Sequence, residues 1–160
     1  MRRRLEEHGL RLGSPAFVWG ALLVAWVCFI WGHSMVQGPA SSSESAFVYE
    51  LLKSAFDYIG IHEREACTFV IRKTAHFSEY LVLGVIAVNF IKALKRQVDA
   101  APNLQTVILV ACALVPILDE TLQLFVPGRS GSPRDVAIDV CGLAVGACIA
   151  TAVVRYRRKA

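Results

Sequence analysis

The segment RKTAHFSEY, residues 72–80, concentrates titratable side chains directly before a long apolar run. It carries two cations, Arg72 and Lys73, followed by His76, Glu79 and Tyr80. An imidazole titrates near neutral pH and can transfer protons, whereas arginine and lysine bind phosphate and carboxylate groups. Inside a membrane span a charged side chain costs about 2.5–3.5 kcal/mol on insertion scales, so this segment indicates buried partners or a polar cavity.

The composition is typical of a membrane protein. Of the 160 residues, 55% are hydrophobic, and the mean hydropathy is +0.49. The formal net charge of +4, from 17 basic and 13 acidic residues, is a modest excess that basic cytoplasmic ends explain. It does not indicate a nucleic-acid partner. The length suits one domain, residues 1–160.

The five cysteines show no CxxC motif and no cysteine–histidine spacing typical of a metal site. Four of them lie in apolar runs, where cysteine behaves as a small hydrophobic residue. We therefore predict no disulfide framework, no metal site and no cofactor.

Apolar stretches predict an all-α membrane protein, a bundle of four transmembrane helices plus an outer amphipathic helix. Each stretch can cross a hydrocarbon core of about 30 Å. Ser14-Pro15 and Ser132-Pro133 provide helix start signals for the first and last spans. The predicted spans are residues 16–32, 70–91, 104–125 and 136–154.

A cleaved signal peptide is an alternative interpretation of the first span. A basic segment precedes it, and the small residues Gly38-Pro39-Ala40 could form a cleavage site. The apolar core is 16 residues long, however, and that site lies well beyond it. We therefore expect the first span to be retained.

The segment between the first two spans combines a polar stretch with an amphipathic pattern. GPASSSES, residues 38–45, is predicted to be a loop whose serines cap the following helix. Val48, Leu51, Leu52 and Ile59 then recur at helical spacing, which predicts a helix over residues 44–60. Such a helix could lie on the outer bilayer surface or pack across the bundle.

The distribution of charge predicts the orientation of the spans. With the N-terminus inside, eleven of the seventeen basic residues are cytoplasmic, and the other six share the outer side with ten of the thirteen acidic ones. Both termini of this multi-pass protein are then expected in the cytoplasm. The eleven residues are Arg2, Arg3, Arg4, Arg11, Lys92, Lys95, Arg96, Arg155, Arg157, Arg158 and Lys159.

This topology brings three polar segments to the outer side: the start of the second span, the end of the third and the start of the fourth. On the fourth span, Asp135 and Asp139 share a stripe with Gly142 and Gly146. The small-residue spacing allows close helix approach and would turn Asp139 toward a neighbouring helix. Pro116 would bend the third span and could open a polar cleft.

Two interpretations of these polar residues remain open. One is an outward-facing site with functional chemistry. The other is an ion-pair network that only fastens the helices. That network would set Arg72, Lys73, Arg129 and Arg134 against Glu79, Asp119, Glu120, Asp135 and Asp139.

Three sequence blocks resemble the signatures of the VanZ-like family. They are WGHSMVQGPASSSES, RKTAHFSEYLVLG and LDETLQLFVPGRSGSPRDVAIDVCGLAVG, and they extend from about residue 30 to residue 147. The family is named after a small membrane protein associated with teicoplanin resistance, so the resemblance implies a role in the bacterial cell envelope. It implies no settled reaction. The motif positions it carries over are Arg72, Lys73, His76, Tyr80, Asp119, Glu120, Gln123, Arg129, Asp135 and Asp139.

The hypothesis that follows is a site that binds or modifies an anionic or polar envelope component. A lipid-linked cell-wall precursor or a glycopeptide antibiotic are the expected partners besides the lipid bilayer. Acid–base chemistry would fall to His76, Asp119 and Glu120. The remaining motif positions would bind the ligand: Arg72, Lys73, Tyr80, Gln123, Arg129, Asp135 and Asp139.

Two alternatives belong to other functional classes. GRSG, residues 128–131, matches a G-x-S-G pattern and would make the chain a membrane-embedded hydrolase with His76 as base. HEREA, residues 62–66, lacks the second histidine of a metalloprotease helix. A non-catalytic scaffold or transporter subunit with a structural ion-pair network is the third possibility. Whether the chain is an enzyme therefore stays open.

Overall fold

A computed structural model describes residues 12–97 and 102–157 of the chain. In these ranges the backbone forms helices and no β-strand. The predicted inner positions Arg2, Arg3, Arg4, Arg11, Arg158 and Lys159 lie outside the described residues. The helices are α1 (Pro15–Ser34), α2 (Gly38–Tyr58), α3 (Arg64–Gln97), α4 (Pro102–Gln123) and α5 (Pro133–Arg157).

Four of these helices, α1, α3, α4 and α5, are long and apolar enough to cross a membrane. The prediction of an all-α bundle with four spans is therefore confirmed, and the chain is a multi-pass membrane protein. α3 begins six residues before the predicted span and has 34 residues. At 1.5 Å per residue it is about 50 Å long, so it extends beyond a hydrocarbon core of about 30 Å.

The predicted start signals of α1 and α5 have the expected geometry. Ser14 Oγ accepts a hydrogen bond from the backbone N–H of Phe17 at 3.2 Å. Ser132 Oγ accepts one from Arg134 N–H at 3.2 Å, directly before the first residue of α5. Both serines satisfy amides that the first helical turn leaves without an intrahelical partner.

The polar stretch GPASSSES is helical, and the prediction of a loop there is wrong. α2 starts at Gly38, six residues before the predicted start at residue 44, with a proline in its first turn. The hydroxyls of Ser43 and Ser45 donate to the carbonyls of Ala40 and Ser41, at 2.7 and 3.0 Å. The serines thus bond back to the helix backbone instead of capping a later helix.

α2 packs on the start of α3 through a stripe that differs from the predicted one. Tyr49 and Phe56 are buried against Cys67. Leu51 and Ile59 remain exposed, at 68% and 62%. α2 therefore keeps an apolar surface that faces away from the other helices, as expected of a helix lying on a bilayer.

The most extensive helix contact in the described chain joins α3 and α5. A Cβ atom added to Gly84 would collide with the carbonyl of Leu143 on α5. Added to Gly142 or Gly146, it would collide with a backbone carbonyl of α3, that of Phe77 or Leu81. Glycines on both helices therefore bring the two backbones into direct contact.

α1 and α4 flank the α3–α5 pair and close its core. Ile30 of α1, Val115 of α4, and Tyr80 and Leu83 of α3 form one buried cluster. Trp26 of α1 also donates its indole N–H to the carbonyl of Glu79 at 2.9 Å. These contacts fix the polar half of α3 against its neighbours.

We predict that Gly146→Ala destabilises the protein because its methyl group would meet the backbone of Leu81. Overpacking of this kind costs about 1–3 kcal/mol. The measurement is the melting temperature of purified protein in detergent. Gly32→Ala is the matched control, since a Cβ there meets no atom within 4 Å. Equal melting temperatures for the two variants would contradict the close packing of α3 and α5.

Candidate functional site

The polar segments of α3, α4 and α5 meet at one end of the bundle, here called the polar end. Lys73 Nζ of α3 donates to Asp135 Oδ1 of α5 at 2.5 Å. The backbone N–H of Ser132, just before α5, donates to Glu120 Oε2 of α4 at 2.8 Å. The structure therefore brings together the three polar segments that were predicted to converge.

His76, Asp119, Glu120 and Asp139 form a compact group, here called the carboxylate cluster. One ligand atom from each lies within 4.8 Å of those from the others. Asp119 and Asp139 are fully buried, and Glu120 is 4% exposed. The stripe of Gly142 and Gly146 turns Asp139 into the bundle, as expected, where its Oδ1 lies 3.7 Å from His76 Nδ1.

Hydrogen-bond partners are distributed unevenly among these carboxylates. Glu120 accepts from Ser132 N–H and, through Oε1, from the Gln123 amide at 3.1 Å. Among the described residues, no donor lies within hydrogen-bond distance of either oxygen of Asp119 or of Asp139, although Ser34, Tyr80 and Gln123 lie near Asp119. The buried hydroxyl of Tyr80 has no hydrogen-bond partner there either. Three carboxylates and an imidazole at this spacing could hold a metal ion.

The pair Lys73–Asp135 is partly buried at the polar end. Their side chains are 21% and 12% exposed. Lys73 also lies over the Phe69 ring, 5.1 Å from its centroid. The ammonium group is thus committed to Asp135 and is held in place by an aromatic neighbour.

A cleft of about 210 Å³ opens beside the cluster. Arg129 Nη1 donates to Ser41 Oγ at 2.7 Å, while its buried Nε has no acceptor. Burial, and then the charge of Arg72, lower the pKa of Arg129, which still remains a cation. The cleft is lined by His33, Ser41, Glu44, Ser45, Val48, Ile71, Arg72, Ala75, His76 and Arg129.

Two glycines place Arg129 in this cleft. The carbonyl of Pro127 accepts a hydrogen bond from Gly38 N–H at 3.2 Å. A Cβ at Gly38 would collide with the carbonyl of Gly128, and Gly128 itself has a φ of 74°. Only glycine adopts that backbone conformation readily, so the loop before α5 can lie directly on the start of α2.

The contribution of α1 to the polar end was not predicted from the sequence. His33 Nδ1 and Glu79 Oε1 are 2.8 Å apart, and His33 Nε2 lies 3.4 Å from Glu44. Ser34 Oγ accepts a hydrogen bond from the Gln123 amide at 3.4 Å. The only signal was the pair His-Ser at the end of an apolar span, inside the first family block.

The ion-pair network described above forms only in part. Among the residues that the structure describes, Lys73 is the one member of the predicted cation set with an ion pair. Arg72, Arg129 and Arg134 have none within 4.0 Å of a described carboxylate. Helix fastening therefore does not account for the arginines.

The hydrolase alternative lacks the contact it requires. Ser130 is exposed and makes no side-chain hydrogen bond to His76 or to any other described residue. His62, of the HEREA segment, lies 3.2 Å from Asp57, and both side chains are exposed. Neither pattern forms an activated nucleophile.

A family model described as VanZ/LLP1 matches residues 19–155. The chain belongs to the VanZ/LLP1 family. Comparison with curated proteins and with solved structures gives no match. The resemblance found in the sequence is confirmed, and every VanZ-like motif position from Arg72 to Asp139 lies within the matched range.

We predict that Lys73→Met destabilises the protein by about 1–3 kcal/mol because it leaves Asp135 without its cation. Breaking a fully buried pair costs about 3–5 kcal/mol, and this pair keeps some exposure. In a double-mutant cycle with Asp135→Asn, the double variant should recover part of the loss. Additive losses in melting temperature would contradict coupling between the two side chains.

Proposed function

We propose that the cleft binds an anionic component of the bacterial cell envelope, with a lipid-linked cell-wall precursor as the representative ligand. One observation carries this proposal: Arg72 and Arg129 line the same cleft, and neither has an ion pair with a described carboxylate. The charge of Arg72 opposes that of Arg129, and an anion bound between the two guanidinium groups would relieve this repulsion.

The chemistry of the arginines favours a phosphate or a carboxylate ligand. A guanidinium presents N–H groups in a planar fork that matches both anions, and such charge-assisted bonds are stronger than neutral ones. The buried Nε of Arg129 has no acceptor within the described chain. Leaving a buried donor unsatisfied costs about 1–3 kcal/mol, which a bound anion would offset.

His76 lines the cleft and is also a member of the carboxylate cluster, so the acid–base groups lie next to the cleft. If the ligand is modified, His76, Asp119 and Glu120 would transfer protons. Gln123 would hold the Glu120 carboxylate, to which its amide donates, and Tyr80 would line the space beside Asp119. Lys73, Asp135 and Asp139 would maintain the charge balance beside the ligand.

The envelope assignment is supported by family membership and by the four spans. The family name associates the group with teicoplanin resistance, and we extend that role to this chain as part of the proposal. Binding of a cell-wall precursor at the outer face would place the protein where glycopeptides act.

We predict an outward orientation for the polar end, in the cytoplasmic membrane and with both termini in the cytoplasm. Lys92 of α3 donates to the carbonyl of Ala150 on α5 at 3.0 Å, so the basic ends of these helices lie side by side away from the cleft. In a cysteine-free background, Ser42→Cys and Ser130→Cys should react with an impermeant maleimide from outside. Tyr156→Cys should react only after permeabilisation. The reverse pattern would contradict the proposed orientation.

We predict that Arg72→Gln and Arg129→Gln each reduce ligand binding while the fold persists. Native mass spectrometry of purified protein would show an anionic lipid retained by the wild type and lost from both variants. Arg134→Gln is the matched control, because Arg134 is an exposed cation near the polar end that does not line the cleft.

Teicoplanin susceptibility and melting temperature of the same variants separate the competing functions. If the cleft is a binding site, Arg72→Gln and Arg129→Gln should lose teicoplanin resistance while their melting temperatures stay normal. Arg134→Gln should keep the wild-type resistance. If stability and resistance fall together, the polar end is a structural network. If all three variants retain the lipid equally, the cleft is not the binding site.

A further inference from the structure

The carboxylate cluster brings three carboxyl groups and one imidazole together in a buried space. Asp119 and Asp139 are fully buried, and within the described chain no donor lies within hydrogen-bond distance of their oxygens. A buried carboxylate without a partner is costly, because burial removes the water that stabilises its charge. Asp119 and Asp139 lie on separate helices with their carboxyl groups close together, so one bound ligand could satisfy both.

The nearest cations, Lys73 and Arg129, make no hydrogen bond to the oxygens of Asp119 or Asp139. Lys73 donates to Asp135, and Arg129 donates to Ser41. His76 is the one basic group inside the cluster, and its Nδ1 lies 3.7 Å from Asp139, beyond hydrogen-bond distance. That Nδ1 is buried and lacks a partner as well.

We propose that the carboxylate cluster binds one divalent transition-metal ion, such as Mn²⁺ or Zn²⁺. The ligands are His76 of α3, Asp119 and Glu120 of α4, and Asp139 of α5.

The spacing of the four donors fits a single ion. Oxygen and nitrogen ligands lie about 2.0–2.2 Å from Zn²⁺, so the donors of a tetrahedral ion are about 3.4 Å apart, and donors on opposite sides of a six-coordinate ion are about 4.2 Å apart. The observed separations are all within 4.8 Å. Small rotations of the aspartate side chains close the difference, since no hydrogen bond holds their oxygens in place.

The donor types select the class of metal. Carboxylates suit Mg²⁺, Ca²⁺ and Mn²⁺, whereas an imidazole favours Zn²⁺ and other transition metals, so the mixed set fits Mn²⁺ or Zn²⁺. Glu120 has the orienting bonds typical of a metal ligand, since Ser132 N–H and the Gln123 amide hold its carboxylate. Each oxygen retains a lone pair for the ion.

The cation site does not rest on the proposed recognition of an anion, because neither arginine of the cleft is a ligand. A bound ion would replace the proton-transfer role proposed for His76, Asp119 and Glu120. His76 belongs to both the cation site and the cleft, so a bound ion would adjoin the cleft. A metal ion beside two guanidinium groups would add to the attraction of a phosphate group.

The test uses purified full-length protein in detergent, stripped with EDTA and then titrated with MnCl₂ or ZnCl₂ at neutral pH. We expect one ion per chain by elemental analysis and a rise of several degrees in the melting temperature, because the ion binds only the folded state. Asp119→Asn and Asp139→Asn should weaken binding by at least about tenfold and abolish the thermal response. Glu120→Gln provides a third variant if an aspartate variant does not fold.

The exposed pair Asp57 and His62 offers a matched control, since it also combines a carboxylate with an imidazole. The double variant Asp57→Asn/His62→Gln should bind the metal as the wild type does. Loss of binding in this control would assign the ion to the surface and overturn the proposal.

If the buried carboxyl groups are instead stabilised by protonation, the metal titration should give a different result. The wild type would then bind no ion and show no thermal response at millimolar metal, and Asp139→Asn would be as stable as the wild type. Either finding for the wild type would overturn the proposal, as would metal binding by Asp119→Asn and Asp139→Asn that equals binding by the wild type.

Discussion

The direct backbone contact between α3 and α5 is the constraint on which the polar end depends. Glycines at 84, 142 and 146 leave no room for a Cβ, so carbonyls of one helix lie against the glycine positions of the other. This approach sets the register that places Lys73 beside Asp135 and His76 beside Asp139. A wider helix separation would move these groups apart and leave their charges in lipid or unpaired, which a bilayer penalises strongly.

The charges at the polar end fall into satisfied and unsatisfied groups. Lys73 is paired with Asp135, and His33 is paired with Glu79. These contacts join α3 to α5 and to α1, and they explain how a membrane bundle tolerates its titratable residues. The cleft arginines have no carboxylate partner within the described chain, and the two buried aspartates have no hydrogen-bond partner there. Unsatisfied charge that is retained in a buried setting is typical of a binding site, and it supports ligand recognition over helix fastening.

The outer segments complete the site through short-range backbone geometry. Gly128 lies against Gly38, which brings the loop before α5 onto the start of α2. Arg129 can then reach Ser41, and Ser132 N–H can reach Glu120. The serine-rich stretch is helical because this loop contact and the proline in its first turn fix its start. A loop there would not hold Ser41 in front of Arg129.

Hydrophobic length and composition by themselves determined four spans, because a bilayer admits only helices whose backbone bonds are internal. Helical spacing likewise placed Asp139 on the glycine stripe, since position on a helix face follows from residue number. Tertiary structure decided which charges pair and which do not. In the folded protein Lys73 pairs with Asp135, whereas Arg72 and Arg129 have no carboxylate partner among the described residues. His33 pairs with Glu79, which is more than forty residues away in the sequence. Sequence spacing cannot supply these outcomes, because they depend on distances of a few ångströms between different helices.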